Sequence, residues 1–170
     1  LYDAVTDNGG NQEDILSQKK LIETIDVSLI KNWKNIIPEY KKRGNYNSTI
    51  RNARGDVVGI PYLSNADSMA YNKAKIGADI NSWEALFDSQ FKGYSSLQNS
   101  LGPTITSTAI YLKQSSKQDI KNPSNLTKGE IRSVCQFLIN MKKRGQFKKL
   151  WDSFDDGVNL LVNEDVLVSS

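Results

Sequence analysis

Three polar clusters in this 170-residue chain have the side chains to hold a small molecule. Asn8-Gly9-Gly10 stands between an apolar run, Tyr2 to Thr6, and a helical pattern from Gln12 to Lys20. Backbone N–H groups and the helix dipole at such a junction favour an anionic or hydroxylated group. Equally, Gly9 and Gly10 make the turn and Asn11 caps the helix. Ser64 to Ser68 interrupts what reads as two strands, Val57 to Leu63 and Met69 to Asn72, and gathers Ser64, Asn65 and Asp67. Gln98-Asn99-Ser100 closes a strand, Tyr94 to Leu97, and leads through Pro103 into a helix from about Thr104. None of the three has phosphate-loop spacing, because G-x-G-x-x-G and Gly-Lys-Ser/Thr are both absent.

Other chemistry is restricted by composition. The chain has no histidine, which removes the commonest general base, the commonest zinc ligand and every Ser-His or Cys-His pair. The single Cys135 cannot form an internal disulfide, and without an activating neighbour it reads as a buried, inert thiol. Asp155 and Asp156 could hold a cation or cap a helix, and either could pair with Asp67 as acid and base. The net charge of +3 is spread, with 9 basic against 8 acidic side chains over residues 1–66 and 13 against 11 over 67–170. Neither half carries the field that nucleic-acid or membrane binding by bulk charge requires.

The remaining elements must position these clusters. Asp26 reads as a cap before Leu29, Ile30, Trp33, Ile36 and Ile37, with a break at Pro38 and a solvated run, Lys41-Lys42-Arg43. Residues 49 to 63 read as a hairpin turning at Arg54-Gly55-Asp56, a tripeptide like that read by integrins but one any turn would use. Ser82 caps a short helix with Trp83, Leu86 and Phe87 on one face, ended by Lys92-Gly93. Thr127-Lys128-Gly129-Glu130 is a capping box opening the longest helix, whose stripe is Ile131, Val134, Cys135, Leu138 and Met141 and whose end is Lys142-Lys143-Arg144. Phe147 to Trp151 reads as a strand, Asp155-Asp156-Gly157 as a turn and cap, Val158 to Val162 as a short helix, and Val166 to Val168 as a last strand. No apolar run approaches the roughly 20 residues of a membrane span.

The order Gly59-Ile60-Pro61-Tyr62, polar break, Tyr71-Asn72, then Ser82-Trp83-x-x-Leu86-Phe87-Asp88-x-x-Phe91-Lys92-Gly93 resembles bacterial extracellular solute-binding proteins of ABC importers, and within them the spermidine/putrescine-binding family. Residues 25 to 33 and 160 to 165 add to the resemblance, with Asn163 where the family carries glycine. The resemblance implies an α/β, periplasmic-binding-protein-like (type II) two-lobed fold, present as a fragment. Residues 1–66 would be part of the first lobe up to the hinge, and 67–170 the hinge and second lobe. Leu1 and Ser170 both fall inside strand patterns, so both ends read as cut, with an export signal and part of each lobe outside the sequence.

The resemblance further implies a ligand cleft lined by Asn8, Gly9, Ser64, Asn65, Asp67, Asn99, Ser100 and Thr104, with Ser153 to Asp156 at its border. Polyamine binders meet ammonium groups with acids and methylene chains with aromatic walls. At the matched positions only Asp67 could pair with an amine; the others suit hydroxyls, amides or carboxylates. The expected function is therefore capture of a small solute, a polyamine or a related polar compound, for a membrane permease. No cofactor, metal, catalytic residue or nucleic acid is implied, and the expected form is a monomer in the periplasm or another extracytoplasmic space. The alternatives are a carboxylate-dependent enzyme using Asp67 with Asp155 or Asp156, and an interaction module on helix 127 to 144, which requires exposed apolar residues there. A chain lacking a central strand would leave sheet edges open, so poor stability is expected for the 170 residues alone. A cooperative unfolding transition at high temperature in calorimetry would contradict this.

Overall fold

The computed structural model describes residues 4–5, 12–41, 50–63 and 66–170. It divides into two compact units, Leu1–Asn65 and Ala66–Ser170.

In the first unit, short-range hydrogen bonds dominate the described residues. A π-helical segment, Gln12–Ser17, replaces the expected longer helix. Asp26 caps the turn Val27–Leu29 by accepting from the Ser28 N–H at 2.9 Å, and hydrogen bonding from Ser28 holds its carboxyl below the usual carboxylate range. Pro38 does not break a helix but opens one, α1 (Pro38–Lys41), where its missing N–H costs nothing. Lys41 is not simply solvated: its ammonium group donates to the carbonyls of Trp33 at 3.2 Å and Lys34 at 3.3 Å. The Arg54-Gly55-Asp56 turn is present, with Gly55 at φ 93° and the Asn52 side-chain oxygen accepting from the N–H groups of Arg54 and Asp56, both at 3.0 Å. The expected strand Val57 to Leu63 shrinks to one antiparallel bridge, Arg51 to Val57, flanked by buried Ile50 and Val58. Pro61 has no N–H for a ladder to use.

The second unit is a four-stranded sheet with helices on it. Its strands are β1 (Ala70–Tyr71), β2 (Ser95–Gln98), β3 (Phe147–Trp151) and β4 (Val168–Ser169), in the order β1-β4-β2-β3. β1 runs antiparallel to β4, whereas β4, β2 and β3 are mutually parallel. Parallel neighbours need crossovers. The helices are α2 (Lys73–Ile76), α3 (Leu101–Gln114), α4 (Lys128–Lys143) and α5 (Phe154–Val162); α3 and α4 carry the chain from β2 to β3, and α5 carries it from β3 to β4.

The core lies where Leu97 and Val168 of the sheet meet Leu86, Leu112, Ile120 and Val134, each 2 % exposed or less. Phe87 stacks on Tyr111 with ring centroids 4.6 Å apart and meets Phe137 edge-on at 5.2 Å. A register shift between Ser95 and Ser96 leaves Lys148 without a partner on β2. Strict alternation would send Phe147 and Leu150 to opposite faces. The extra residue lets both pack on the core and keeps Lys148 and Lys149 exposed.

The capping box opens α4 as the sequence predicts: Thr127 accepts from the Glu130 N–H, and Glu130 accepts from Thr127 at 2.7 Å. Hydrogen bonds from the Thr127 hydroxyl, the Thr127 N–H and the Lys121 N–H hold the Glu130 carboxyl below its ordinary range. Cys135 is half-buried rather than buried. The expected turn Asp155-Asp156-Gly157 is the interior of α5, and Ser153 is the cap, accepting from the Asp156 N–H at 3.1 Å.

Gln146, 3 % exposed, ties these parts together. Its side-chain amide donates to the carbonyls of Leu86 at 3.1 Å and Asp88 at 2.9 Å, while its own carbonyl accepts from the Ser95 hydroxyl at 3.0 Å and the Gly93 N–H at 2.8 Å. Gln146→Leu keeps the volume but orphans two carbonyls, so it is expected to lower stability by about 2–4 kcal/mol in urea unfolding. Gln136→Leu, on the exposed face of α4, is expected to change it by less than about 0.5 kcal/mol.

Candidate functional site

In an open sheet, ligands sit outside the carboxyl ends of parallel strands. Here the carboxyl ends of β2, β3 and β4 (Gln98, Trp151, Ser169) border a pocket of about 330 Å³ in the second unit. Ala66, Asp67, Ser68 and Ala70 form one side of it, Pro103 and Ser107 of α3 a second, and the face of α5 a third. The volume is that of a small-molecule site.

Aromatic rings dominate its chemistry: Trp83, Trp151 and Phe154 line it, and Phe154 is 79 % exposed. Asp67 is the single carboxylate lining it among the described residues. Trp151 is held from two directions. Its indole N–H donates to the Ser169 hydroxyl at 3.0 Å, and the Ser96 hydroxyl donates to the same oxygen at 2.8 Å. On its face lies Gly157, where an added Cβ would stand 3.2 and 3.3 Å from the atoms that fuse the two indole rings. Glycine therefore lets α5 lie flat on the indole, which explains its place inside a helix despite a propensity cost of about 1 kcal/mol.

The expected site residues fall into three groups. Asn8, Gly9, Ser64 and Asn65 lie outside the described residues. Asp67 is in the pocket wall. Asn99, Ser100 and Thr104 are beside the pocket rather than in its lining. The Asn99 amide donates to the Asp152 carboxylate at 2.6 Å, Ser100 is the N-cap residue of α3, and the Thr104 hydroxyl donates to the Gln98 carbonyl at 2.6 Å. Their neighbours Gln98 and Pro103 reach the lining instead.

Asp155 and Asp156 occupy the first turn of α5, where the helix dipole favours them, and neither joins Asp67 in the lining. Among the described residues, no group of three or more Asp, Glu, His or Cys could hold a metal ion.

Trp83 and Trp151 were not singled out as site residues by the sequence, whereas Phe154 lies in the Ser153 to Asp156 edge expected at the cleft border. A signal was available. Trp151 ends a strand and Ser153 begins a helix, the same junction that drew attention to Asn8 and Asn99.

Comparison with known proteins agrees with this architecture. The family description "Bacterial extracellular solute-binding protein" matches residues 2–170. The crystal structure of the Tp0655 (TpPotD) lipoprotein of Treponema pallidum is similar with a TM-score of 0.70 at 19 % identity, covering 91 % of this chain and 44 % of that one. The chain thus spans less than half the length of that structure, with which it shares a periplasmic-binding-protein-like α/β fold. The match over nearly every residue places this chain in the bacterial extracellular solute-binding protein family.

Proposed function

We propose that this chain is the solute-capturing component of an ABC importer, that its solute is a small amine such as a polyamine, and that it delivers this solute to a membrane permease outside the cytoplasm. The observation that carries the reading is the pocket wall itself, one carboxylate, Asp67, beside Trp83, Trp151 and Phe154. A desolvated ammonium group needs counter-charge and is attracted to an aromatic face, while the same faces cover a methylene chain. The sequence resemblance to the spermidine/putrescine-binding family supports the same ligand class. Asn8, Gly9, Ser64 and Asn65 are proposed to add hydrogen bonds to the solute. Asn99, Ser100 and Thr104 would shape the strand end that carries Gln98. Capture needs binding chemistry only, which suits a chain without histidine.

A thermal-shift panel of putrescine, spermidine, amino acids, sugars and small carboxylates tests the ligand class, since binding to the folded state raises the midpoint by mass action. Polyamines are expected to raise it and sugars to leave it unchanged; a rise with sugars or carboxylates alone would reassign the pocket. In titration calorimetry Asp67→Asn is expected to weaken amine binding about 10- to 100-fold, the worth of a charge-assisted hydrogen bond. Trp151→Leu is expected to weaken it about 2- to 30-fold through the lost cation–π contact. Equal affinity in both variants would remove this wall from the site.

A further inference from the structure

The polar groups of the pocket divide into those already committed and those still free. Ser169 spends both acceptor positions on Trp151 and Ser96. Ser107, buried, donates its proton to the Thr104 carbonyl at 3.2 Å and keeps only acceptor capacity. Gln98 is the opposite case. Its backbone N–H donates to the Ser170 hydroxyl at 2.9 Å and its carbonyl accepts from the Thr104 hydroxyl at 2.6 Å, yet no hydrogen bond engages its side-chain amide among the described residues. Gln146, by contrast, gives its amide protons to two carbonyls. Gln98 is half-buried in the pocket wall with both amide protons unspent. In the same lining the Trp83 indole N–H is unspent among the described residues, and the Ser170 hydroxyl keeps its proton while accepting from Gln98.

These groups set conditions on the solute. Ammonium groups bring donors only, which suit Asp67, Ser107 and the Gln98 oxygen. They offer nothing to the Gln98 amide protons, the Trp83 N–H or the Ser170 hydroxyl, and a ligand that displaces water from donors without accepting from them forfeits those bonds. Such donors call for an oxygen acceptor on the solute. Charge decides its kind. Among the described residues Asp67 is the single carboxylate of the lining and no lysine or arginine joins it, so one ammonium group finds a counter-charge and a carboxylate tail finds none. Between the two ends, Phe154, Val158 and Leu161 succeed one another at four- and three-residue spacing on α5 and line the pocket with apolar surface.

We propose that the solute is a monoamine whose other end is a neutral oxygen acceptor, an amide or a hydroxyl, and that Gln98 is the residue that reads it. The assignment rests on amine capture at this pocket and adds what the far end of the amine must carry. Asp67 takes the ammonium group, the aliphatic and aromatic wall covers the methylenes, and the Gln98 amide donates to the oxygen.

The test is titration calorimetry with four probes of one chain length: putrescine, 4-aminobutanamide, 4-amino-1-butanol and 4-aminobutanoate. At least one of the amide and the alcohol is expected to bind about 5- to 10-fold more tightly than putrescine, the worth of one or two neutral hydrogen bonds, and the carboxylate is expected to bind more weakly than either. Gln98→Leu is expected to bring the affinity ratio of the preferred probe to putrescine down to about one. Gln98→Glu supplies a second carboxylate and is expected to invert that ratio about tenfold in favour of putrescine. The strand end is held through its backbone by Ser170 and Thr104, so both variants are expected to keep the circular dichroism spectrum of the unaltered chain. Putrescine binding as tightly as the amide and the alcohol would overturn the proposal and leave amine capture standing, as would a ratio that neither Gln98 variant moves. Tightest binding by 4-aminobutanoate would overturn it in favour of an anionic tail. Binding by none of the four would overturn amine capture and this assignment together.

Discussion

A single hydroxyl, that of Ser169, joins the three parallel strands of the second unit to its pocket. It accepts from Trp151 on β3 and from Ser96 on β2, and its remaining proton points toward the carbonyl of Ser170 at 3.4 Å. A hydroxyl offers one donor and two acceptor positions, so all of this one are in use. Ser96 and Ser169 are both buried, so losing a partner leaves a poorly solvated polar atom. The bond fixes the indole of Trp151, the indole fixes how closely α5 can approach, and α5 with Trp151 supplies much of the pocket wall. A Ser residue in a sheet centre is a weak strand former. Here it converts the packing order of the sheet into the orientation of an aromatic ring.

Gln146 plays the equivalent part at the opposite end of β2 and β3. Backbone carbonyls at Leu86 and Asp88 leave irregular 3-10 turns that have no ladder to satisfy them, and the Gln146 amide reaches both. The two polar anchors hold opposite ends of the same strand pair, with the apolar cluster around Leu97 and Val134 between them. Directional bonds thus set register and apolar burial supplies most of the free energy.

Legibility in the sequence followed locality. The capping box at Thr127, the cap at Ser82 and the strand Phe147–Trp151 were readable because each is decided by residues within a few positions. Val57 to Leu63 was not, because a strand exists only when a partner completes its ladder, and one bridge is all the described chain provides. Asp155-Asp156-Gly157 carries turn chemistry, yet the approach of Trp151 from another element makes the glycine a packing residue inside a helix. Of the site, Asp67 was legible as a charge in a polar break and the edge carrying Phe154 as a cleft border, whereas the two tryptophans of the wall were hidden. Tryptophan on an apolar face reads as core unless the strand end it occupies is known to open on a pocket. The exposed Ile131 of α4 was read into the core stripe for a related reason, since periodicity assigns a face without fixing its width.

The strand order has a consequence for how this unit is made. β4, at residues 168–169, is inserted between β1, at residues 70–71, and β2, at residues 95–98. A nascent chain can pair β2 with β3 once Trp151 has emerged, but it has nothing to pair β1 with until Ser169 follows. Through that interval the inner edge of β2 stays open, with Ser95 and Ser96 wet and the Trp151 indole without its acceptor. Closure joins positions nearly a hundred residues apart, as the pairing of Ala70 with Ser169 shows, and such long-range pairing is slow because loop entropy is lost before any contact offsets it. The second unit therefore rests on a strand pairing of long sequence separation, between residues 70–71 and 168–169, as well as on the local contacts of its helices.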